Sequence, residues 1–215
     1  MTAATHDAPH PIEVVFFDFN GVLAEDGFGR GLAAVADRHG LDPHMVVREA
    51  VALFYADHGY LTGKNTEANY WRALRERTGI ADTDTALKAA IAPFCRVRPR
   101  MLELADTVRA QGMRAAILSD HTTWLDELDA EQDFFRHFDR VFNSWHEGFH
   151  KQEPACFRNA LAKMAVAPGA ALFIDDMPAN VALARSLGMH AIHYVDHAAF
   201  ETAFARYLPP APRLP

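Results

Sequence analysis

The chain has 215 residues, of which half are hydrophobic and 23% are charged, with a formal net charge of −7. This length is sufficient for one sizeable core, or for a core with a smaller inserted module. The acidic balance argues against nucleic acid as a partner, and no apolar run approaches the roughly 20 residues that span a bilayer. The two cysteines, Cys95 and Cys156, have no CxxC spacing, which indicates neither a disulfide framework nor a zinc site and favours a cytoplasmic protein.

The run Val14–Phe17 is predicted to be a strand, because it is short, apolar and rich in β-branched and aromatic residues. It ends at Asp18, and Gly21 follows where the chain must bend or let another group approach closely. A carboxylate at the end of a buried strand is costly unless it is solvated, paired or metal-bound. We therefore expect Asp18 in a cleft at the carboxyl edge of a sheet, although an Asx-type turn is the alternative.

Residues 24–98 have a helical apolar period and no strand signal, which predicts a small bundle of four helices. The predicted spans are 31–39, 42–57, 66–78 and 84–92, with a flexible crossing at Gly27, Gly29 and Gly31. The aromatic residues of this block either form its own core or in part line a substrate pocket; they are Phe54, Tyr55, Tyr60, Tyr70 and Trp71.

From Pro99 onward, strands alternate with helices, which predicts a parallel sheet covered on both faces. The predicted strands are 114–118, 140–142, 171–174 and 190–195, and the predicted helices are 99–111, 123–130, 154–164, 178–187 and 197–207. The block 24–98 is then an insertion between the first strand and the rest. Residues 1–11 and 208–215 are predicted to be flexible tails, and the first of them lacks the apolar segment of a signal peptide.

Polar residues follow three of the predicted strands: Asp18, Ser119 and the pair Asp175-Asp176. Lys151 lies just before a helix on the same edge, so all of these side chains can converge there. Three carboxylates would repel one another unless a cation lay between them, and oxygen ligands with open positions suit Mg²⁺. The Lys151 ammonium and the Ser119 hydroxyl suit phosphate oxygens, so the pattern predicts a site for magnesium and phosphate.

Four stretches carry a family resemblance: Phe17–Leu23, Ile117–Asp120, Gly148–Phe157 and Phe173–Asn180. In this order and spacing the chain resembles the haloacid dehalogenase superfamily, specifically its small phosphatases with a helical cap inserted after the first motif. The resemblance implies an α/β fold with a Rossmann-like parallel-sheet core (residues 12–23 and 99–207) and an inserted four-helix cap (residues 24–98). It also implies a Mg²⁺-dependent phosphohydrolase that acts on a small phosphorylated metabolite through an aspartyl phosphate. We expect the protein to be a monomer or a homodimer.

The same resemblance assigns roles to individual residues. It implies a catalytic set formed by Asp18 as the nucleophile with Asn20, Ser119 and Lys151. The implied magnesium ligands are Asp18, Asp175, Asp176 and the backbone carbonyl of Asn20. The implied phosphate-binding residues are Gly21, Ser119, Asp120 and Lys151. Asn180 is expected to hold the metal-binding carboxylates in orientation without itself binding the metal.

Asn20 is a departure, because most phosphatases of the family have a second Asp there, which protonates the leaving group. An amide cannot exchange a proton near neutral pH, and a positioned acid–base group is typically worth about 10²–10⁴ in rate. Either the substrate has a leaving group that needs little protonation, such as an anomeric sugar, aryl or acyl phosphate, or His121, His146 or Glu25 supplies the proton. Asp120 and Gln152, where the family often has Asn and Pro, are further departures.

Three other functions remain open at this point. A dehalogenase would also use Asp18 as nucleophile, but it needs no metal, so the Asp175-Asp176 pair argues against it. A second alternative is a regulatory domain that binds magnesium and phosphate and turns over poorly. A third is a lyase or transferase that acts on a phosphorylated or diphosphate metabolite.

Overall fold

The computed structural model describes residues 11–56 and 59–208, which contain one five-stranded sheet. Its strands are β1 (Val14–Phe17), β2 (Arg114–Ser119), β3 (Arg140–Asn143), β4 (Ala171–Asp175) and β5 (His190–His193). Neighbouring strands pair in parallel in the order β3-β2-β1-β4-β5. The predicted α/β, Rossmann-like parallel sheet is confirmed, and β1 lies at its centre.

The register brings the ends of the central strands together. Phe17 of β1 is level with Ile117 of β2 and with Ile174 of β4. The next residues along β1 and β4, Asp18 and Asp175, are therefore neighbours at the carboxyl edge. Alternate residues of β1 belong to two separate apolar clusters, one on each face of the sheet. Burial on both faces explains why β1 is continuously apolar rather than alternating.

The described part of the chain contains ten helices. Those between β1 and β2 are α1 (Gly27–Arg38), α2 (Pro43–Phe54), α3 (Glu67–Thr78), α4 (Asp84–Ile91) and α5 (Pro99–Ala110). Those after β2 are α6 (Trp124–Gln132), α7 (Ser144–Glu147), α8 (Pro154–Lys163), α9 (Pro178–Ser186) and α10 (His197–Phe204). Short 3-10 turns occur at 60–62, 92–94, 135–137 and 168–170. We refer to residues 24–98, which contain α1 to α4, as the helical insert.

The predicted start of α1 is wrong, since the helix begins at Gly27 rather than at residue 31. The Asp26 carboxylate caps it by accepting the backbone N–H of Gly29 at 3.0 Å. A Cβ atom at Gly27 would lie 2.7 Å from the backbone of Cys95, and one at Gly31 would lie 2.7 Å from Cα of Ile91. These glycines therefore permit close packing within the helical insert instead of a flexible crossing.

Other boundaries differ by a few residues. Helix α2 ends at Phe54 rather than near 57, α6 extends two residues past its predicted end, and α10 ends at Phe204. The short helix α7 is absent from the prediction. The predicted tails lie outside the described residues, apart from Pro11 and Leu208. Across residues 11–56 and 59–208, no helix has the length and hydrophobicity required to cross a membrane.

The two ends of the helical insert lie side by side. Ala24 pairs with Val97 in an antiparallel bridge, and the backbone N–H of Arg98 donates to Leu23 at 2.8 Å. The Arg98 guanidinium also donates to the carbonyl oxygens of Gly21 and Val22, at 2.8 and 2.9 Å. Arg98, at the C-terminal end of the insert, thus holds the loop that follows Asp18 through these hydrogen bonds.

Candidate active site

Three carboxylates converge at the carboxyl edge of the sheet, and we call Asp18, Asp175 and Asp176 the acidic cluster. Asp18 directly follows β1 and is 5% exposed, and Asp175 is the last residue of β4 and fully buried. One oxygen from each of the three lies within 4.8 Å of the other two. Because carboxylate oxygens are the ligands that Mg²⁺ prefers, the donor set and its spacing fit a divalent cation.

The Lys151 ammonium lies between two members of this cluster. Its Nζ is 2.6 Å from Oδ1 of Asp18 and 2.6 Å from Oδ2 of Asp175, and the residue is 3% exposed. Burial alone would lower the pKa of Lys151, but the Asp175, Asp18 and Asp120 carboxylates raise it well above its usual value. Lys151 is therefore charged.

One buried cation does not neutralise three carboxylates. Burial raises the pKa of Asp18 well above its usual range against the opposing effect of Lys151, and Asp175 and Asp176 add to the increase. Burial and Asp175 also raise the pKa of Asp176. The cluster thus has an excess of negative charge that a divalent cation would offset.

Gly21 lets the loop after Asp18 touch the acidic cluster. Its φ of +86° lies in the left-handed region, and a Cβ atom there would be 2.2 Å from Oδ2 of Asp176. A side chain at this position would displace the Asp176 carboxylate, so glycine is required by both the backbone angle and the contact.

Asp175 is held in one orientation by its neighbours. Asn180 Nδ2 donates to both carboxylate oxygens, at 3.1 and 3.2 Å, and the backbone N–H of Met177 donates to Oδ1 at 2.8 Å. With the Lys151 ammonium on Oδ2, the carboxylate is oriented before any ligand binds. The orienting role that the family resemblance implies for Asn180 remains a prediction, and these two hydrogen bonds are the contacts by which the residue would perform it.

Ser119 ends β2 with a hydroxyl that lacks a partner. The residue is 2% exposed, and its Oγ forms no hydrogen bond with any residue that the structure describes. A buried polar group without a partner costs about 1–3 kcal/mol, so such groups usually have a specific reason to be present. A ligand oxygen at the sheet edge would supply the missing partner.

Asp120, the next residue, has a side chain already engaged within the protein. Its Oδ1 accepts the backbone N–H of Lys151 at 2.8 Å, and its Oδ2 accepts the Tyr55 hydroxyl at 3.1 Å. Any contribution of Asp120 to phosphate binding would thus come from its backbone. The contact with Tyr55 has no signal in the sequence, because the two residues are 65 positions apart.

The three candidate proton donors occupy different environments. His146 pairs with Asp126 at 2.8 Å and Glu25 pairs with Arg30, and both pairs are exposed. His121 is buried with its ring edge-on to Phe19, which follows Asp18, at a centroid distance of 5.5 Å. Burial lowers the pKa of His121 to about 4, so its imidazole is neutral at neutral pH. Asn20 itself is partly exposed.

The aromatic residues of the helical insert divide between core and cleft. Tyr70 and Trp71 are 2% and 1% exposed and belong to the core. A cleft of about 420 Å³ between the insert and the sheet domain is lined in part by Tyr60, Thr123 and Trp145, and none of the predicted catalytic residues lines it. Tyr55 alone among these aromatic residues hydrogen-bonds to a residue that follows a strand end.

The chain belongs to the haloacid dehalogenase-like hydrolases, because the model of that family matches residues 12–188. The predicted family is therefore confirmed. Among curated proteins, the chain is similar to acyl-CoA dehydrogenase family member 10 of Mus musculus, with 32% identity over 98 residues. That match covers 44% of this chain and 9% of the mouse protein, so the chain corresponds to a small part of this relative.

Solved structures confirm the fold across nearly the whole chain. A predicted HAD-like hydrolase from Porphyromonas gingivalis is 23% identical, with a TM-score of 0.71 over 92% of this chain and 98% of that one. A HAD family enzyme from Bacteroides thetaiotaomicron, solved with magnesium and inorganic phosphate, is 19% identical, with a TM-score of 0.66 over 88% and 98% of the two chains. A dehalogenase is 16% identical, with a TM-score of 0.64 over 85% and 84%.

Proposed function

We propose that the protein is a Mg²⁺-dependent phosphohydrolase that acts on a small phosphorylated metabolite. The observation that carries this proposal is the Lys151 ammonium, 2.6 Å from both Asp18 and Asp175, inside a cluster of three acids. In this proposal residues 12–23 and 99–207 are the catalytic core, and the helical insert acts as a cap above it.

The acidic cluster supports the magnesium part of the proposal. Asp18, Asp175, Asp176 and the backbone carbonyl of Asn20 would hold the ion, and Asn180 would keep Asp175 oriented. The ion would supply charge neutralisation for the bound phosphate. A haloacid dehalogenase needs no such ion, so the Asp175-Asp176 pair favours the phosphatase over that alternative.

Asp18 is the nucleophile of the proposed reaction. A carboxylate oxygen of Asp18 attacks phosphorus, the bond from phosphorus to the leaving-group oxygen breaks, and an aspartyl phosphate forms. Water then attacks phosphorus, which releases inorganic phosphate and regenerates the carboxylate. The Ser119 hydroxyl, the Lys151 ammonium and the backbone N–H groups of Gly21 and Asp120 would bind the phosphoryl oxygens, because positioning and charge stabilisation dominate this chemistry.

Asn20 restricts the substrates that fit this mechanism. Its amide cannot protonate a leaving group, and the neutral imidazole of His121 is a poor acid at neutral pH. We therefore propose a substrate whose leaving group needs little protonation: an anomeric sugar phosphate, an aryl phosphate or an acyl phosphate. His146 and Glu25 are not favoured as proton donors, because both side chains are exposed and each already has a partner: His146 Nε2 lies 2.8 Å from Asp126, and Glu25 forms a salt bridge with Arg30.

The test is Mg²⁺-dependent phosphate release from p-nitrophenyl phosphate and from sugar 1- and 6-phosphates, with Asp18→Asn as the control. We expect release that requires Mg²⁺, disappears in Asp18→Asn and favours the aryl and anomeric phosphates. Absence of release from every substrate would support the binding, lyase or transferase alternatives. Metal-independent halide release from a 2-haloacid would instead establish the dehalogenase.

We also propose that the small phosphorylated molecule is the principal partner, without nucleic acid, which the net charge of −7 disfavours, and without a membrane, for which the sequence has no sufficiently long apolar run. We further propose that the protein is cytoplasmic and is a monomer or a homodimer. Light scattering coupled to gel filtration would give the oligomeric state, and a trimer or larger assembly would contradict it.

A further inference from the structure

Tyr55 connects the helical insert to the candidate active site. It caps the C-terminal end of α2, and its hydroxyl donates to Oδ2 of Asp120 at 3.1 Å. Its ring also packs edge-on against His150, the residue before Lys151, with centroids 5.5 Å apart. Burial and the nearby Asp120 raise the pKa of Tyr55, so the phenol stays protonated and remains a donor.

Asp120, which accepts the Tyr55 hydroxyl, also contacts Lys151. Its other oxygen, Oδ1, accepts the backbone N–H of Lys151 at 2.8 Å. The loop 148–153 has no regular secondary structure and makes few backbone hydrogen bonds. The hydrogen bond to Asp120 is therefore a main constraint on the position of the Lys151 backbone. At the far end of the same residue, Nζ contacts Asp18 at 2.6 Å. A continuous path thus runs from Tyr55 through Asp120 and Lys151 to the proposed nucleophile.

We propose that Tyr55 is a positioning residue, by which the helical insert holds Asp120 and thereby fixes the Lys151 ammonium against Asp18. This inference rests on the proposed phosphohydrolase function for its catalytic consequence, but not for its structural one. Because Lys151 would offset charge on the phosphoryl group during transfer, displacing it should lower kcat more than it raises KM. Tyr60 provides a matched control, since its hydroxyl also spans insert and core, 2.7 Å from Oγ1 of Thr123, without a link to Lys151.

The experiment compares Tyr55→Phe with Tyr60→Phe by two readouts. The first is the backbone amide resonance of Lys151 in ¹⁵N-correlated spectra, which needs no substrate. The second is Mg²⁺-dependent hydrolysis of p-nitrophenyl phosphate. We expect Tyr55→Phe to shift the Lys151 amide and to reduce kcat about tenfold with KM within about twofold, and Tyr60→Phe to leave the Lys151 amide unshifted. An unchanged Lys151 amide in Tyr55→Phe, or an equal shift in Tyr60→Phe, would overturn the inference.

A second variant tests whether Tyr55 acts through Asp120. In an Asp120→Ala background the addition of Tyr55→Phe should have no further effect on kcat, because the link to Lys151 is already broken. A full loss from Tyr55→Phe in that background would show that Tyr55 acts independently, which contradicts the inference. If the wild-type protein hydrolyses no phosphate ester, the proposed function fails while the amide measurement still decides the positioning role.

Discussion

Replacement of Gly21 by alanine tests whether the loop after Asp18 shapes the acidic cluster. Its φ is +86°, and the new Cβ would lie 2.2 Å from Oδ2 and 2.4 Å from Cγ of Asp176. Gly112 is a matched control, because its φ is +84° and a Cβ there would meet no atom within 4 Å. Alanine at either position places an L-residue in the left-handed region, which costs roughly 1–2 kcal/mol of the free energy of unfolding.

The two variants should differ in metal binding rather than in stability. The Asp176 carboxylate is the end of a side chain and can rotate away from the new methyl group, so the clash itself adds little to the cost. Its rotation removes one of three carboxylates from the cluster, and we expect Mg²⁺ affinity to fall about 10- to 100-fold. At a Mg²⁺ concentration about ten times the wild-type dissociation constant, tenfold weaker binding lowers the Mg²⁺-dependent stabilisation of the folded state from about 1.4 to about 0.4 kcal/mol.

Urea unfolding with and without millimolar Mg²⁺ measures both effects. Gly112→Ala should lose stability but keep the full Mg²⁺-dependent gain, whereas Gly21→Ala should lose most of that gain. Equal Mg²⁺-dependent gains in the two variants would refute the conclusion that Asp176 keeps its place in the cluster because Gly21 has no side chain. Wild-type protein with no gain at all would contradict the magnesium site itself.

Three further outcomes follow from individual contacts. Ser119→Ala should leave the free energy of unfolding unchanged or raise it by up to about 1 kcal/mol, because the hydroxyl has no hydrogen-bond partner among the described residues. The same variant should be inhibited less strongly by inorganic phosphate. A clear loss of stability would show that the Ser119 hydroxyl does form a hydrogen bond in the folded protein. Burial lowers the pKa of His121 to about 4, so its contribution to stability is complete above its ordinary pKa of about 6.5 and is lost as the pH falls towards 4. Urea unfolding should therefore show about 2 kcal/mol lost between pH 7 and 5 from this group, and a similar loss in His121→Asn would contradict that origin. Glu67→Ala should lower the free energy of unfolding by about 2–3 kcal/mol in the same assay, because it leaves the indole N–H groups of Trp71 and Trp124 without an acceptor. Glu67→Gln keeps an acceptor and should lower it by less than about 1 kcal/mol. Equal losses in the two variants would exclude the indole hydrogen bonds as the cause.

Local chemistry explains why most of the sheet could be predicted from the sequence. The strand at Val14–Phe17 is short and apolar because both faces of the sheet are covered, and the helices α2, α3 and α4 begin at the side-chain caps Asp42, Thr66 and Thr83. Such signals lie within a few residues of the element that they define. The convergence of Asp18 and Asp175 likewise follows from parallel strands that end at one edge.

The features that the sequence did not predict depend on contacts between distant residues. Gly27 and Gly31 were predicted to form a flexible crossing, because the reason for these glycines, their close approach to Cys95 and Ile91, lies 60 or more positions away in the sequence. The bond from Tyr55 to Asp120 has the same character, since nothing near either residue indicates the other. A pattern of one element thus predicts its type, whereas the contacts of its side chains require the packed structure.

The paired ends of the helical insert have a consequence for how chains of this family can change in length. Ala24 and Val97 pair directly, so the two ends of the insert lie next to each other at the sheet whatever segment connects them. Helices within the intervening segment can lengthen, shorten or be exchanged over evolution while β1 and β2 keep their register. A change of length within the insert can therefore leave the position of the acidic cluster, which is set by the register of the strands, undisturbed.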